Sequence, residues 1–133
     1  VLCYMDLDQF KIVNDTCGHA AGDEVLQGFA NLARNSLRDG DLVARFGGEE
    51  FVILLGNSNP EALFNCMERL RIAFAALDFD SLPEGVHCTL SAGLASIGPE
   101  DDLEVCLNDA DQALYQAKGA GRNRCELHQP SYV

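Results

Sequence analysis

Residues 42–55 read Leu-Val-Ala-Arg-Phe-Gly-Gly-Glu-Glu-Phe-Val-Ile-Leu-Leu. Two runs of strand-forming residues, Leu42–Phe46 and Phe51–Leu55, lie on either side of the central glycines. The pair Gly47 and Gly48 suits a tight hairpin turn because both glycines can adopt a positive φ. This stretch therefore predicts a β-hairpin in the middle of the chain.

Hydrophobic periodicity divides the rest of the chain into strands and helices. It predicts strands over 1–5, 86–97 and 124–128, and helices over 10–17, 23–37, 60–77 and 103–117. A hairpin enclosed by helical crossovers predicts an α+β domain. Its sheet is ferredoxin-like, antiparallel or mixed, with flanking helices in the order βααββαβ and one further terminal strand.

Single residues sharpen some of these boundaries. Asn59 followed by Pro60 reads as a helix N-cap and first helical residue. Gly93, inside a predicted strand, indicates a bulge or a close packing point. Gly119 and Gly121 are expected to end the last helix.

Length and charge limit the possible functions. A chain of 133 residues is close to the ~150 expected for one domain, so we predict a single domain over 1–133. Nine basic and 21 acidic residues give a net charge of −12, which disfavours nucleic acid and anionic membranes as partners. No apolar run approaches the ~18 residues of a membrane span, so we expect no direct membrane insertion. A small phosphorylated ligand remains compatible, because a divalent cation can bridge carboxylates to phosphates.

The six cysteines include no C-x-x-C pair and no zinc-ligand spacing with the histidines. They are interpreted as free, buried thiols. Free thiols are typical of a reducing cytoplasm, which is the location we expect.

Carboxylates stand at the end of the first strand and at the hairpin tip. Asp6 and Asp8 have the i, i+2 spacing that points both side chains to one face of a strand, an oxygen-rich corner suited to a hard cation. Taken alone, they are more typical of a strand ending in a turn. In a ferredoxin-like sheet the first strand lies beside the hairpin, so Asp6 and Glu49 can meet. Together with Glu50, this pattern favours a metal site over a solvated acidic hairpin tip.

Other residues suit a nucleotide. The strand-to-helix turn at 6–11 offers free N–H groups for phosphate, and Lys118 and Arg122 could add positive charge, although basic residues also cap helix ends. Asn14 and Asp23 flank a glycine-containing loop and can bind the polar edge of guanine; helix capping is the alternative, above all for Asp23.

Three stretches together resemble the GGDEF family, the diguanylate cyclases, and the resemblance covers essentially the whole chain. They are residues 6–23, DLDQFKIVNDTCGHAAGD, residues 45–51, RFGGEEF, and residues 115–123, YQAKGAGRN. The resemblance implies a ferredoxin-like palm shared with nucleotidyl cyclases and some polymerases. It implies that two GTP molecules, one on each domain of a homodimer, condense into cyclic di-GMP and two pyrophosphates with Mg²⁺ or Mn²⁺ as cofactor.

The resemblance also implies roles for individual residues. Asp6, Glu49, Glu50 and the Leu7 carbonyl correspond to metal ligands, and Glu49 with Asp6 to the catalytic acids, Glu49 activating the 3′-hydroxyl. The implied substrate-binding residues comprise the guanine pair, the phosphate-binding group and a loop histidine: Asn14, Asp23, Phe10, Lys11, Lys118, Arg122 and His19.

A second site is indicated upstream of the hairpin. Arg38 and Asp41 match the R-x-x-D product-inhibition motif of the family, and five residues separate the motif from Gly47. Arginine can fork onto a guanine edge or a phosphate, and aspartate can accept from guanine. A chance pair in a helix-end turn is the alternative. Arg69 resembles a supplementary arginine of that site.

The chain departs from the family in lacking the usual helix before the first strand. We therefore expect a fragment of a larger signalling protein, with a sensor or phosphodiesterase domain fused to it, and possible membrane attachment outside this segment. A non-catalytic module that binds GTP or cyclic di-GMP is the alternative function.

Overall fold

The computed structural model describes residues 1–38, 40–56 and 59–129. These residues form five strands and four helices. In chain order they are β1 (Leu2–Leu7), α1 (Phe10–Cys17), α2 (His19–Ser36), β2 (Leu42–Arg45), β3 (Glu50–Leu54), α3 (Pro60–Ala75), β4 (Leu90–Ala95), α4 (Leu103–Gly119) and β5 (Arg124–Leu127).

The strands form one sheet in the order β2-β3-β1-β4-β5. β1 lies at the centre and pairs antiparallel with β3 and with β4, whereas β5 joins β4 in parallel. This is the predicted α+β, ferredoxin-like arrangement with one added edge strand, so the predicted fold class is confirmed. It puts the end of the first strand directly beside the hairpin.

Alternate residues of β1 serve two packing layers. Cys3 and Met5 are fully buried in the core that α2 and α3 cover, where the Phe29 ring lies 4.7 Å from Phe51. Leu2, on the opposite face, packs with Ala110 of α4. Both faces of the central strand are therefore packed, as its continuous apolar sequence predicts, although Tyr4 and Asp6 on the second face are only partly buried.

The hairpin is confirmed, but its predicted turn geometry is wrong. Four residues, 46–49, connect β2 to β3, and neither Gly47 nor Gly48 has a positive φ. The loop is closed instead by the Arg45 guanidinium, which donates to the carbonyl of Gly47 at 3.1 Å and that of Gly48 at 2.7 Å.

Several helix and strand boundaries also differ from the prediction. Helix α2 begins at His19 after Gly18 adopts φ 92°, so Asp23 lies inside the helix and does not cap it. Strand β1 extends to Leu7, beyond the predicted 1–5. Strand β4 is shorter than the predicted 86–97, because β1 offers partners only as far as Leu90.

Three local predictions are confirmed. The Asn59 side chain accepts the Ala62 N–H at 2.7 Å and so caps α3. Gly93 is a close packing point against α4. Gly121 follows the end of α4 with φ 122°.

All six cysteines are free, and four of them are buried. Within the three described ranges, no helix combines the length and apolar character needed to cross a membrane.

Candidate active site

The end of β1 meets the hairpin at a cluster of carboxylates. Asp6 lies opposite Glu50 in the β1–β3 ladder. The next residue, Leu7, donates its N–H to the Glu49 carbonyl at 3.1 Å, which fixes the hairpin tip against the strand end. Glu49 and Asp6 therefore line the same cleft, as the sequence predicts.

A lysine from the other end of the chain neutralises part of this charge. The Lys118 ammonium donates to the Asp6 carboxylate at 2.6 Å, and the Asp6 side chain is only 13% exposed. Burial raises the pKa of Asp6, the Lys118 contact opposes this rise, and Glu49 and Glu50 add to it. A positive ligand brought here would relieve that repulsion.

Glu50 faces a different neighbour. It accepts a hydrogen bond from the Tyr4 hydroxyl, and the pKa of Tyr4 is raised by its burial and by this bond. Glu50 consequently lies beside Asp6 but outside the cleft that Asp6 and Glu49 line.

The donor set fits a hard cation that is held only partly by protein. In the described part of the chain, no three carboxylate, thiol or imidazole side chains converge to enclose a metal ion. Mg²⁺ usually keeps several waters and binds one or two carboxylates together with substrate phosphates. Asp6 and Glu49, with the Leu7 carbonyl, offer that kind of partial oxygen set.

Cationic groups and a helix start complete this strand-end cleft, which has a volume of about 190 Å³. Lys11, Lys118 and Arg122 line it with the acidic residues. Phe10 and Lys11 are the first residues of α1, so their N–H groups have no acceptor within the helix and point toward its start. Anions bind readily at such a position.

A second cavity of about 370 Å³ adjoins the strand-end cleft. Asn14, His19 and Asp23 line it. Both cavities share Phe10, Lys11 and Glu49 in their lining, so they adjoin one another between the hairpin, α1 and the start of α2, and the two together are called the groove.

Gly22 sets the position of the Asn14 side chain. A Cβ built on Gly22 would lie 1.9 Å from Asn14 Oδ1 and 3.1 Å from the Phe10 ring. The two helices therefore approach closely because residue 22 has no side chain. This contact lies at the wall of the second cavity.

Asp8 lines the strand-end cleft but is engaged elsewhere. Its carboxylate accepts from the Thr89 hydroxyl at 2.7 Å, the Ser91 hydroxyl at 2.6 Å and the Asn123 N–H at 3.0 Å. The oxygen-rich corner shared by Asp6 and Asp8 is therefore not formed as a joint cation site. Asp8 instead ties the end of β1 to β4 and to the turn before β5.

The fold also brings together the residues of the predicted second site. Arg38, Asp41 and Arg69 line one cavity of about 240 Å³ behind the hairpin. Asp41 is 3% exposed and accepts the Arg38 N–H at 2.9 Å, whereas the Arg38 side chain is 69% exposed. Asp39, inside the motif, lies outside the described residues.

Sequence reasoning missed three participants near the groove. Arg45 closes the hairpin loop and lines the second cavity, and Tyr4 holds Glu50. Asn123 links Asp8 to the turn that carries Arg122. An arginine just before a Gly-Gly loop was a usable signal, whereas the other contacts join residues far apart in sequence.

These features define a palm-type α+β domain. Its ferredoxin-like sheet carries carboxylates at the end of the central strand, and the groove lies between them and an amide and a carboxylate on flanking helices. The sequence model of the family described as "Diguanylate cyclase, GGDEF domain" matches residues 1–124. The chain belongs to the GGDEF family.

Known relatives agree with this assignment. The chain is 46% identical over 127 residues to the diguanylate cyclase DgcP of Pseudomonas aeruginosa, a match that covers 96% of this chain and 19% of that protein. The chain spans less than half the length of the curated relatives it matches.

Two solved structures are similar throughout. The active GGEEF domain of a Vibrio cholerae diguanylate cyclase has a TM-score of 0.90 and 40% identity, covering 98% of this chain and 83% of that one. The GGDEF domain of DgcB from Caulobacter crescentus, solved in complex with c-di-GMP, has a TM-score of 0.89 and 31% identity, covering 97% and 77%.

Proposed function

We propose that this domain is a diguanylate cyclase that joins two GTP molecules into cyclic di-GMP and releases two pyrophosphates. The observation that carries the proposal is the groove formed by the two adjoining cavities. One end presents Asn14 and Asp23, and the other presents Asp6, Glu49 and Lys118. The polar groups at its two ends suit a purine joined to a triphosphate, and homology to diguanylate cyclases supports the same reaction.

The second cavity suits guanine. A carboxylate accepts two hydrogen bonds, so Asp23 can take both the N1–H and the amino group of the base. The Asn14 amide can donate to or accept from the remaining polar edge. Adenine presents an acceptor at N1, so an Asp23 carboxylate would repel it. His19 adds a further polar group to this wall.

The strand-end cleft suits the triphosphate. Lys11, Lys118 and Arg122 bring positive charge to it, and the N–H groups at the start of α1 supply neutral donors. The Lys118–Asp6 ion pair holds the ammonium at the cleft before any ligand arrives.

Asp6 and Glu49, with the Leu7 carbonyl, would hold Mg²⁺ or Mn²⁺ together with the phosphates, whereas Glu50, bonded to the Tyr4 hydroxyl, would add negative charge beside them. Bound there, the ion supplies neutralisation of phosphate charge and a lowered pKa for a coordinated hydroxyl. Glu49 lines both cavities, which supports assigning its carboxylate as the acceptor of the 3′-hydroxyl proton. The 3′-oxygen then bonds to the α-phosphorus of the other GTP, and the bond to the leaving pyrophosphate breaks.

Catalysis then requires two copies of this chain. Each groove holds one GTP, whereas the product contains two nucleotides. We propose that a homodimer brings two grooves face to face, so that each 3′-hydroxyl reaches the α-phosphate held by the partner subunit. In the intact protein, a fused sensor or phosphodiesterase domain would govern that encounter. A cytoplasmic location fits the six free thiols.

The cavity behind the hairpin is the proposed inhibitory site for cyclic di-GMP. Arg38, Arg69 and the buried Asp41 all line it. Guanidinium groups bind phosphates and guanine edges in a fork, and the carboxylate can accept from guanine. The similar Caulobacter domain was solved with c-di-GMP bound, which supports a ligand of this class.

The test is product formation by a dimerised chain. The chain fused to a dimerising coiled coil is incubated with GTP and Mg²⁺, and cyclic di-GMP is measured by chromatography with mass detection. Calorimetric titration with GTP is run beside it, with Glu49→Gln as the matched control. The proposal expects product from the wild-type dimer only. GTP binding without product would establish the non-catalytic module instead.

A further inference from the structure

The turn that follows α4 brings Arg122 into the strand-end cleft through an unusual backbone. Gly121, Arg122 and Asn123 have successive positive φ values of 122°, 62° and 50°. Glycine adopts this region freely and asparagine tolerates it, but arginine rarely does. Such a conformation persists only where the surroundings fix it.

Helix capping fixes only the first part of the turn. The Gly121 N–H donates to the Lys118 carbonyl at 3.3 Å, and the Arg122 N–H donates to the Ala117 carbonyl at 3.0 Å. This is the hydrogen-bond pattern of a Schellman motif, which needs a left-handed residue at Gly121 alone. The conformations of Arg122 and Asn123 need another cause.

Asp8 supplies one of the missing restraints. It accepts the Asn123 N–H at 3.0 Å. The carboxylate cannot easily move, because the hydroxyls of Thr89 and Ser91 also donate to it, and Ser91 is fully buried. The Asp8 N–H donates in turn to the Thr89 carbonyl at 2.8 Å.

Arg71 of α3 supplies a second restraint, in addition to the Arg124 Nε, which donates to the Arg122 carbonyl at 3.4 Å. Its Nη1 donates to the Asn123 carbonyl at 3.3 Å and to Asn123 Oδ1 at 2.9 Å. Its Nε donates to Glu68, which holds the guanidinium in place, and the Arg71 side chain is only 18% exposed. Asn123 is therefore bonded from both sides, through its N–H and through its two oxygens.

We propose that Asp8, Asn123 and Arg71 form a latch that holds the 121–123 turn and so positions the Arg122 guanidinium for the triphosphate of GTP. This inference rests on the proposed function, which places the triphosphate against Arg122. Arg71 and Asn123 do not line the cleft. They are positioning residues that act through Arg122, so loosening the latch weakens the binding of phosphates and spares the binding of the base.

Two substitutions at Asn123 separate its conformation from its hydrogen bonds. Asn123→Gly retains the positive φ and the N–H to Asp8 but loses Oδ1, whereas Asn123→Ala also disfavours the left-handed backbone. Arg71→Met removes the donors and keeps the apolar stem. We expect GTP to bind about threefold weaker for Asn123→Gly and about tenfold weaker for Asn123→Ala and Arg71→Met, since a charge-assisted contact is misplaced.

Two calorimetric experiments on the whole chain separate phosphate binding from base binding. Titration with Mg²⁺·GTP gives the affinity for the whole nucleotide, and competition by guanosine gives the affinity for the part without phosphates. Guanosine lacks phosphates, so we expect each latch variant to bind guanosine within about twofold of the wild-type affinity. Arg34→Met, on the exposed face of α2, is the matched arginine control. Melting temperatures show whether each variant is folded at the assay temperature.

A double-mutant cycle completes the test. If Arg71 acts through Arg122, then Arg71→Met adds no further loss of GTP affinity to Arg122→Ala. An additive loss, or an equal loss for GTP and guanosine, overturns the latch. Wild-type affinity in all three latch variants overturns it while leaving the proposed function intact, whereas a wild-type chain that binds no GTP overturns both.

Discussion

Replacing Gly22 with alanine separates base recognition from folding. Gly22 lies inside α2, where α1 crosses it, and a Cβ there would stand 1.9 Å from Asn14 Oδ1. Ordinary contact begins at 3.4 Å, so the Asn14 amide must withdraw by about 1.5 Å. The clashing atom is the end of a side chain, which can rotate away while both helices stay in place.

The expected effect on binding follows from that displacement. A shift of about 1.5 Å exceeds the tolerance of a hydrogen bond, so Asn14 would lose its contact with guanine. One lost bond with a partly unsatisfied partner costs about 1–2 kcal/mol, which is about a fivefold to thirtyfold weaker Kd for GTP. The free energy of unfolding changes little. Alanine stabilises a helix by up to about 1 kcal/mol relative to glycine, which offsets the cost of the tight 3.1 Å contact between the new Cβ and the Phe10 ring.

The matched control is Gly28→Ala on the same helix. Its Cβ would lie 2.7 Å from the buried Phe79 ring, and neither Gly28 nor Phe79 lines the groove. Titration with GTP and thermal unfolding are measured on both variants. We expect weaker binding with a melting temperature within about 4 °C for Gly22→Ala, and the reverse pattern for Gly28→Ala. Unchanged GTP affinity in folded Gly22→Ala would refute the role of Asn14 in binding the base.

Three further predictions concern packing, catalysis and inhibition. Gly93→Ala should destabilise the domain by about 3 kcal/mol or more in chemical denaturation, because its Cβ would lie 2.1 Å from the Ala110 carbonyl and 2.2 Å from the Leu114 nitrogen; a smaller loss would mean that α4 can shift. Glu49→Gln should abolish cyclic di-GMP synthesis while reducing GTP affinity far less, and near-wild-type synthesis would exclude the proposed proton acceptor. Arg38→Ala should raise the cyclic di-GMP concentration that halves the rate, and an unchanged inhibition curve would count against the second site.

The sequence predicted the order of elements well because each has a clear hydrophobic period. The apolar run before Asp6 marks a strand buried on both faces, and Asn59 with Pro60 marks the start of a helix. The carboxylates of Asp6 and Glu49 could be placed in one cleft because the ferredoxin-like order leaves the first strand beside the hairpin.

The features that the sequence did not predict depend on contacts between residues that are far apart in the chain. Leu90 begins β4 because β1 provides no earlier partner, which no pattern within 86–97 reveals. Asp8 looked like a companion of Asp6, but Thr89 and Asn123 occupy its oxygens. The space that Asn14 needs depends on how closely two helices approach, and a lone glycine in the sequence does not indicate it.

The central claim is that one groove holds a whole GTP between two sets of residues. A crystal structure of the chain with Mg²⁺ and a non-hydrolysable GTP analogue tests this directly. We expect guanine against Asn14 and Asp23, and the phosphates with Mg²⁺ against Asp6, Glu49 and Lys118. Guanine bound instead between Arg38 and Arg69, with the groove free of nucleotide, would contradict it.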